Sequence, residues 1–148
     1  MKRFISQIAI GLAFFALLVN HAAAHCEIPC GIYDDEARIV LIREHIATIE
    51  KSMHQIKLLE NEKNHQSTQL IRWVMNKEQH ANELQKIVTQ YFMTQRIKLN
   101  AKNYEKKLNL LHQMLLFSMK CKQIVDQNNI DTLRNLVNEF NALYFDKK

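Results

Sequence analysis

The sequence is poor in the two residues on which tight turns depend. Its 148 residues include only two glycines and one proline, and neither residue type occurs from Asp34 to Lys148. Sandwiches, barrels and doubly wound sheets of β-strands need glycine and proline at frequent turns, so this scarcity excludes them. The long segment is therefore expected to consist of helices joined by short polar connections.

The chain also lacks the charge pattern of a nucleic-acid-binding protein. Its formal net charge is +5, and Lys2 and Arg3 contribute two of these positive charges in a region without acidic residues. The remaining excess is small, and no basic cluster is interleaved with aromatic residues. Nucleic acid is therefore excluded as the expected partner.

The N-terminal residues are typical of a secretory leader. Two basic residues precede an unbroken apolar run, Ile8 to Val19, and the small residues Ala22 and Ala24 follow it. The run is shorter than the roughly 18 residues that a membrane-spanning helix needs, and the pattern matches a signal peptide cut after Ala24. We expect residues 1–24 to be removed and the mature chain to start at His25. The mature chain would then be exported to the periplasm or the extracellular space, free of the membrane. The alternative is that residues 1–24 are not cleaved and serve as an N-terminal membrane anchor.

Apolar side chains then recur at spacings of three and four residues, which is the pattern of helices that bury one face. Four stripes follow this pattern: Ile39, Ile42, Ile46, Ile49, Met53 and Ile56; Leu70, Val74, Ala81, Leu84, Val88 and Tyr91; Tyr104, Leu108, Leu111, Leu115 and Met119; Ile130, Leu133, Val137, Phe140 and Tyr144. Polar connections near 61–68, 95–103 and 126–129 separate them. The pattern predicts an all-α protein, an antiparallel up-and-down four-helix bundle over residues 34–148, with an N-terminal metal-binding hook before it.

The chemistry of the chain is concentrated in residues 25–33, which we call the hook segment. It reads His-Cys-Glu-Ile-Pro-Cys-Gly-Ile-Tyr and holds two of the three cysteines, with the only proline and glycine of the mature chain. Cleavage gives His25 a free amine besides its imidazole, while Cys26 and Cys30 supply thiolates. With the Cys26 amide nitrogen, these donors suit Ni(II) or Cu(II) in a tetragonal arrangement better than zinc, which prefers a tetrahedron.

The pattern His25-Cys26-x-x-Pro29-Cys30-Gly31-x-Tyr33 resembles the nickel hook of the nickel superoxide dismutase family. The resemblance implies a homohexamer of four-helix bundles with one nickel ion per chain. It implies superoxide as the substrate, converted to O₂ and H₂O₂ by cycling between Ni(II) and Ni(III). It also implies that His25, Cys26 and Cys30 bind the metal and that Tyr33 lies beside its open face as the catalytic side chain.

Two features depart from the usual pattern of that family. Glu27 stands where aspartate is common. The family also orients the axial imidazole through an acid on the first helix and a basic residue on the second, and this sequence has Val40 and His80 near those positions. A metal-bound histidine normally needs such a partner. The candidates are Glu36, Glu44, Arg72 and His80.

Other interpretations of the hook segment remain. Paired cysteines in an exported protein commonly form a disulfide. If Cys26 and Cys30 were considered without the neighbouring residues, a disulfide between them would be the prediction. An exported helical protein that binds nickel or copper without turnover, or a helical partner protein without metal chemistry, would also explain part of the sequence. A copper monooxygenase brace likewise begins with a terminal histidine, but it requires a β-sandwich and is excluded.

The cysteine and histidines outside the hook segment have simpler interpretations. Cys121 follows the third stripe and is expected to be a small buried side chain. The helical histidines show no pair at the i, i+4 spacing of a helical metal site, so we expect ordinary surface or boundary positions. These histidines are His45, His54, His65 and His112.

Overall fold

The computed structural model describes residues 31–62 and 67–146. In this part of the chain, four α-helices follow one another: α1 (Asp35–Glu60), α2 (Ser67–Lys86), α3 (Tyr104–Gln123) and α4 (Gln127–Tyr144). The ten residues Ile87–Arg96 continue α2 as a π-helix. The described residues contain no strand, which confirms the all-α prediction. None of these helices combines the length and apolar character that a membrane span requires.

The helices pack as a ring in which each contacts the next and α4 contacts α1. The start of α1 lies beside the ends of the π-helix and of α4, because Asp35 contacts both Arg96 and Tyr144. Further along α1, Glu50 contacts Gln127 at the start of α4 and Arg134 about two turns later. These contacts establish the antiparallel up-and-down order that the sequence predicts.

Aspartates begin the first and last helices. The Asp34 side chain accepts a hydrogen bond from the Ala37 amide at 2.9 Å, which satisfies one of the free N–H groups at the start of α1. Asp126 does the same for the Asn128 amide at 3.0 Å. The predicted turn at 126–129 therefore ends earlier than expected, because Asp126 is the cap and α4 starts at the next residue.

The predicted core positions of α1 and α4 are confirmed. All six residues of the first stripe are at most 2% exposed, and the first four residues of the fourth stripe are fully buried. Tyr144, the last of that stripe, is partly buried against them. Alternation of apolar and polar residues was sufficient for these two helices because apolar side chains fill every inward position along most of their length.

The predicted stripes of α2 and α3 are each wrong at one end. Val74 is 39% exposed and Met119 is 41% exposed, whereas the polar residues Lys77 and Ser118 are buried. The Ser118 hydroxyl donates to the carbonyl oxygen of Ala81 at 3.1 Å, so its burial leaves no unpaired group. A stripe sought among apolar residues alone could not include these positions.

Lys77 is a buried cation that binds the C-terminal end of α3. Its Nζ donates to the carbonyl oxygens of Cys121, at 2.8 Å, and of Lys122, and it pairs with Glu78 at 3.1 Å. The last carbonyls of a helix lack partners within the helix and attract positive charge. This lysine therefore joins α2 to the end of α3.

Replacing Lys77 by methionine keeps most of the apolar stem but removes the donor to both carbonyl groups. We expect the free energy of unfolding to fall by about 1–3 kcal/mol, as for other buried groups left unsatisfied, in urea denaturation followed by circular dichroism. Lys106→Met is the matched control, because Lys106 is mostly exposed where it pairs with Glu139. Equal losses in the two variants would contradict the role of Lys77.

Candidate metal centre

The predicted metal ligands His25, Cys26 and Cys30 lie outside the described residues. The description begins at Gly31, whose φ of 76° lies in the left-handed region. Residues with a side chain are strained there, whereas glycine adopts this conformation readily. Glycine therefore suits the backbone conformation at this position, two residues before Tyr33.

Tyr33 is held by one aromatic ring and one cation. Its ring packs edge-on against that of Tyr91, with ring centres 6.1 Å apart. The guanidinium of Arg96 lies over the Tyr33 ring, 4.3 Å from its centre, where the electron-rich face attracts a cation. Tyr33 remains 43% exposed. It is thus held in position and yet accessible from solvent.

Both neighbours of Tyr33 are anchored to one carboxylate. We call Asp35, Tyr91, Arg96 and Tyr144 the Asp35 cluster. Arg96 binds the carboxylate with two prongs, Nε to Oδ1 at 2.8 Å and Nη2 to Oδ2 at 2.6 Å. The hydroxyl groups of Tyr91 and Tyr144 donate to the same oxygens at 2.6 and 2.9 Å. A paired carboxylate with this many donors is a firm anchor, because charge-assisted and two-pronged hydrogen bonds are strong.

The hydrogen bonds of the Asp35 cluster set its protonation. Burial alone would raise the pKa of Asp35, but hydrogen bonds from Arg96, Tyr91 and Tyr144 outweigh it and hold the pKa below its ordinary value. Burial and the hydrogen bond to Asp35 raise the pKa of Tyr91 above its ordinary value and that of Tyr144 to about 12. At neutral pH, Asp35 is therefore charged and both tyrosines keep their protons.

The π-helix explains why Tyr91 and Arg96 reach the same carboxylate. Its hydrogen bonds join residues five apart, as in the bond from the Ile97 amide to the Phe92 carbonyl at 2.9 Å, so residues five apart lie on one side. In an α-helix, side chains five apart would point about 140° away from each other. The α-helical period therefore predicted a polar connection at Arg96 and missed its contact with Asp35. The one sequence signal for that contact was the acidic residue Asp35, which lies two positions after Tyr33 and could have indicated a basic partner.

A second positive charge lies near this site. The guanidinium carbon of Arg38, one turn into α1, is 5.0 Å from the centre of the Tyr91 ring. Because Asp35 balances the charge of Arg96, Arg38 is the residue that adds positive charge beside the pair of tyrosines. Positive charge at the entrance of a site attracts small anions and raises their rate of encounter.

The four candidate partners of the axial imidazole are not members of the Asp35 cluster. Glu36 and Glu44 are exposed on α1. Arg72 on α2 lines a cavity of about 570 Å³ with Lys51 and Trp73. Because His25 lies outside the described residues, its partner stays a prediction.

His80 is hydrogen-bonded to His45 of α1, with 2.9 Å between the two Nδ1 atoms. His45 is half-buried, which agrees with the boundary position expected for it, but its hydrogen bond to a histidine of another helix was not predicted. His54 and His112 are exposed as expected, and His65 lies outside the described residues. A spacing rule within one helix could not detect a pair formed between two helices.

Cys121 is fully buried, which confirms its expected role as a small core side chain. Burial raises the pKa of its thiol to about 11, so it is protonated at neutral pH and is a poor metal ligand. Within residues 31–62 and 67–146, no group of three or more histidine, cysteine, aspartate or glutamate side chains is arranged to hold a metal ion.

Comparison with known protein families gives one match for this chain. Residues 20–148 match the family model of nickel-containing superoxide dismutase. The match includes the hook segment and all four helices, and the apolar run that ends at Val19 lies outside it. Neither a curated protein nor a solved structure matches the chain.

Proposed function

Because this chain belongs to the nickel-containing superoxide dismutase family, we propose that His25, Cys26 and Cys30 hold its nickel ion and that Tyr33 lines the open side of the site. The chain is a nickel-dependent superoxide dismutase, which converts superoxide to O₂ and H₂O₂. The observation that carries the residue assignment is that the family match spans the hook segment, where two thiols follow a histidine that cleavage would make N-terminal.

The donors of the hook segment fit nickel chemically. An amine, a deprotonated backbone amide and two thiolates are strong donors, and their anionic character stabilises a higher oxidation state. When bound there, nickel supplies the one-electron chemistry by alternating between Ni(II) and Ni(III). A disulfide between Cys26 and Cys30 would remove both thiolates, so this function requires the two cysteines to stay reduced.

The described side chains would bind and guide the substrate. Superoxide is an anion, and Arg38 places positive charge beside the tyrosine pair past which it would approach, whereas the charge of Arg96 is balanced by Asp35. Tyr33 offers an exposed ring and hydroxyl at the end of the hook segment. Tyr91 keeps its proton and donates a hydrogen bond to Asp35, so its side chain is fixed in position and does not act as a base.

The proposed domain order follows from the position of the ligands. Residues 1–24 would be removed as a signal peptide, 25–33 would form the hook and 34–148 the bundle. Cleavage is chemically necessary in this scheme, because only a free amine at His25 completes the donor set. The mature protein would then be exported to the periplasm or the extracellular space without membrane attachment.

No finding supports the alternative of a nickel or copper carrier without turnover.

We also propose that the chain assembles as a homohexamer, as the family resemblance implies. Exposed apolar side chains on α2 and α3 support an association of chains, because large apolar side chains left on the surface can be buried in an interface. These side chains are Ile71, Val74, Met75, Leu116 and Met119. Light scattering of the purified protein should then give the mass of six mature chains, and a monomeric mass would reject this part of the proposal.

The metal content tests the proposed site. We expect about one nickel ion per mature chain in elemental analysis of purified active protein, since one hook segment is present per chain. Nickel binding should weaken on acidification, because the thiol, amine and amide ligands must lose protons to bind. Active protein that contains zinc or no metal would reject the assignment, and so would an affinity for nickel that does not change between acid and neutral pH.

A further inference from the structure

Two imidazoles meet between α1 and α2, outside the hook segment. The Nδ1 atoms of His45 and His80 are 2.9 Å apart, and the ring centres are 5.1 Å apart with 56° between the ring planes. Both residues are half-buried, so solvent ions can still reach them. A hydrogen bond between two ring nitrogens needs a proton on one Nδ1 and a free lone pair on the other.

The spacing of the two rings also fits a bound metal ion. Two histidines that bind one tetrahedral ion, each at about 2.0–2.1 Å, have ligand nitrogens about 3.3 Å apart and ring centres about 5.2 Å apart. The ring centres of His45 and His80 already have this separation. A tilt of each ring that opens the gap between nitrogens by about 0.4 Å would therefore admit an ion in that geometry. Neither helix has to move.

The surroundings favour the form of histidine that binds metals. Burial, and the neighbouring ring of His80, lower the pKa of His45, so the ring is neutral at neutral pH. For the ring that donates the hydrogen bond to bind a metal, its proton has only to move from Nδ1 to Nε2. Metal binding therefore requires no net loss of a proton. Glu44 and Glu83 act on His45 as nearby negative charges, which would balance the charge of a divalent cation.

We propose that His45 and His80 form a second metal site, which takes a borderline divalent ion such as zinc between their Nδ1 atoms in place of the shared proton. Two protein ligands leave the remaining coordination positions to water, and Glu83 contributes only its nearby negative charge. Imidazole ligands suit zinc and the neighbouring transition metals. The proposed site uses no atom of the hook segment.

Zinc titration of a chain without hook ligands tests this proposal. The variant His25→Ala, Cys26→Ser, Cys30→Ser removes the competing donors, so the result does not depend on the nickel assignment. In this background we expect saturable binding of one zinc ion per chain by calorimetry. Nitrogen chemical shifts of the His45 and His80 rings should change together during the titration.

Further substitutions in the same background identify the ligands. His45→Ala and His80→Ala should each lose the saturable binding, whereas His54→Ala and His112→Ala, at exposed helix positions, should retain it. His45→Gln is a second variant that keeps a polar side chain between the helices and should also lose zinc, with helical circular dichroism unchanged. Unaltered zinc binding in the folded His45 or His80 variants would overturn the proposal. The proposal would also be overturned if the variant without hook ligands, with both His45 and His80 present, showed no saturable binding of zinc.

Discussion

Replacing Cys26 or Cys30 by serine is expected to abolish superoxide disproportionation while the helices stay folded. A serine hydroxyl does not ionise at neutral pH and cannot supply the anionic sulfur that a nickel redox cycle requires. The helical bundle begins only at Asp35, so loss of a ligand before it should leave the core intact. His25→Ala should have the same effect, because it removes the imidazole that would bind the metal. Activity assays and circular dichroism of the same preparations measure both outcomes.

The third cysteine provides the matched control for this prediction. Cys121 is fully buried on α3, and its thiol stays protonated because burial raises its pKa to about 11. Cys121→Ser changes the same atom in the same way but should retain nickel and activity, with only a loss of stability from the hydroxyl placed in the core. Survival of activity in the Cys26 or Cys30 variant would refute the ligand assignment, and so would its loss in a folded Cys121 variant.

Replacing Asp35 by alanine is expected to destabilise the bundle more than any other change of a single ion pair in the described residues. The substitution leaves the Arg96 guanidinium, only 25% exposed, without its carboxylate. It also removes the acceptor of the Tyr91 and Tyr144 hydroxyl groups. Leaving one partner of a largely buried pair uncompensated costs several kcal/mol, and partial exposure reduces this to about 2–4 kcal/mol here. Urea denaturation at neutral pH measures the loss.

The contribution of Asp35 should also depend on pH in a defined direction. The pKa of its carboxyl group is lower in the folded protein than in the unfolded chain, because the hydrogen bonds from Arg96, Tyr91 and Tyr144 outweigh burial. The stabilisation is therefore complete above the unfolded pKa of about 3.9 and is lost as the pH falls through the lower folded value. The difference in stability between the wild type and Asp35→Ala should narrow on acidification below that point.

An exposed ion pair provides the comparison for Asp35. Glu139 pairs with Lys106 at 3.0 Å, but both side chains are more than half exposed. Glu139→Ala should change the free energy of unfolding by less than about 1 kcal/mol, because solvent screens such pairs. If the Asp35 and Glu139 variants lost equal stability, the carboxylate could not be the anchor that joins α1, the π-helix and α4.

Local sequence was sufficient to predict the bundle, because helix formation depends on residues close together in the chain. The scarcity of glycine and proline and the stripes of α1 and α4 predicted an all-α fold correctly. The errors fall where partners come from other helices. Lys77 and Ser118 are buried because carbonyl groups of neighbouring helices accept their hydrogen bonds. Arg96 reaches Asp35 only through the π-helix, a departure from the period that sequence analysis assumes.

The identity of the amino terminus tests the central claim most directly. The proposed ligand set needs a primary amine at His25, directly before the thiol of Cys26. We predict that mass spectrometry and N-terminal sequencing of the active, nickel-containing protein will give a chain that starts at His25 with an unmodified amine. Full activity in a chain whose amino end is extended or acylated would contradict this account, because the amine could not then bind the metal.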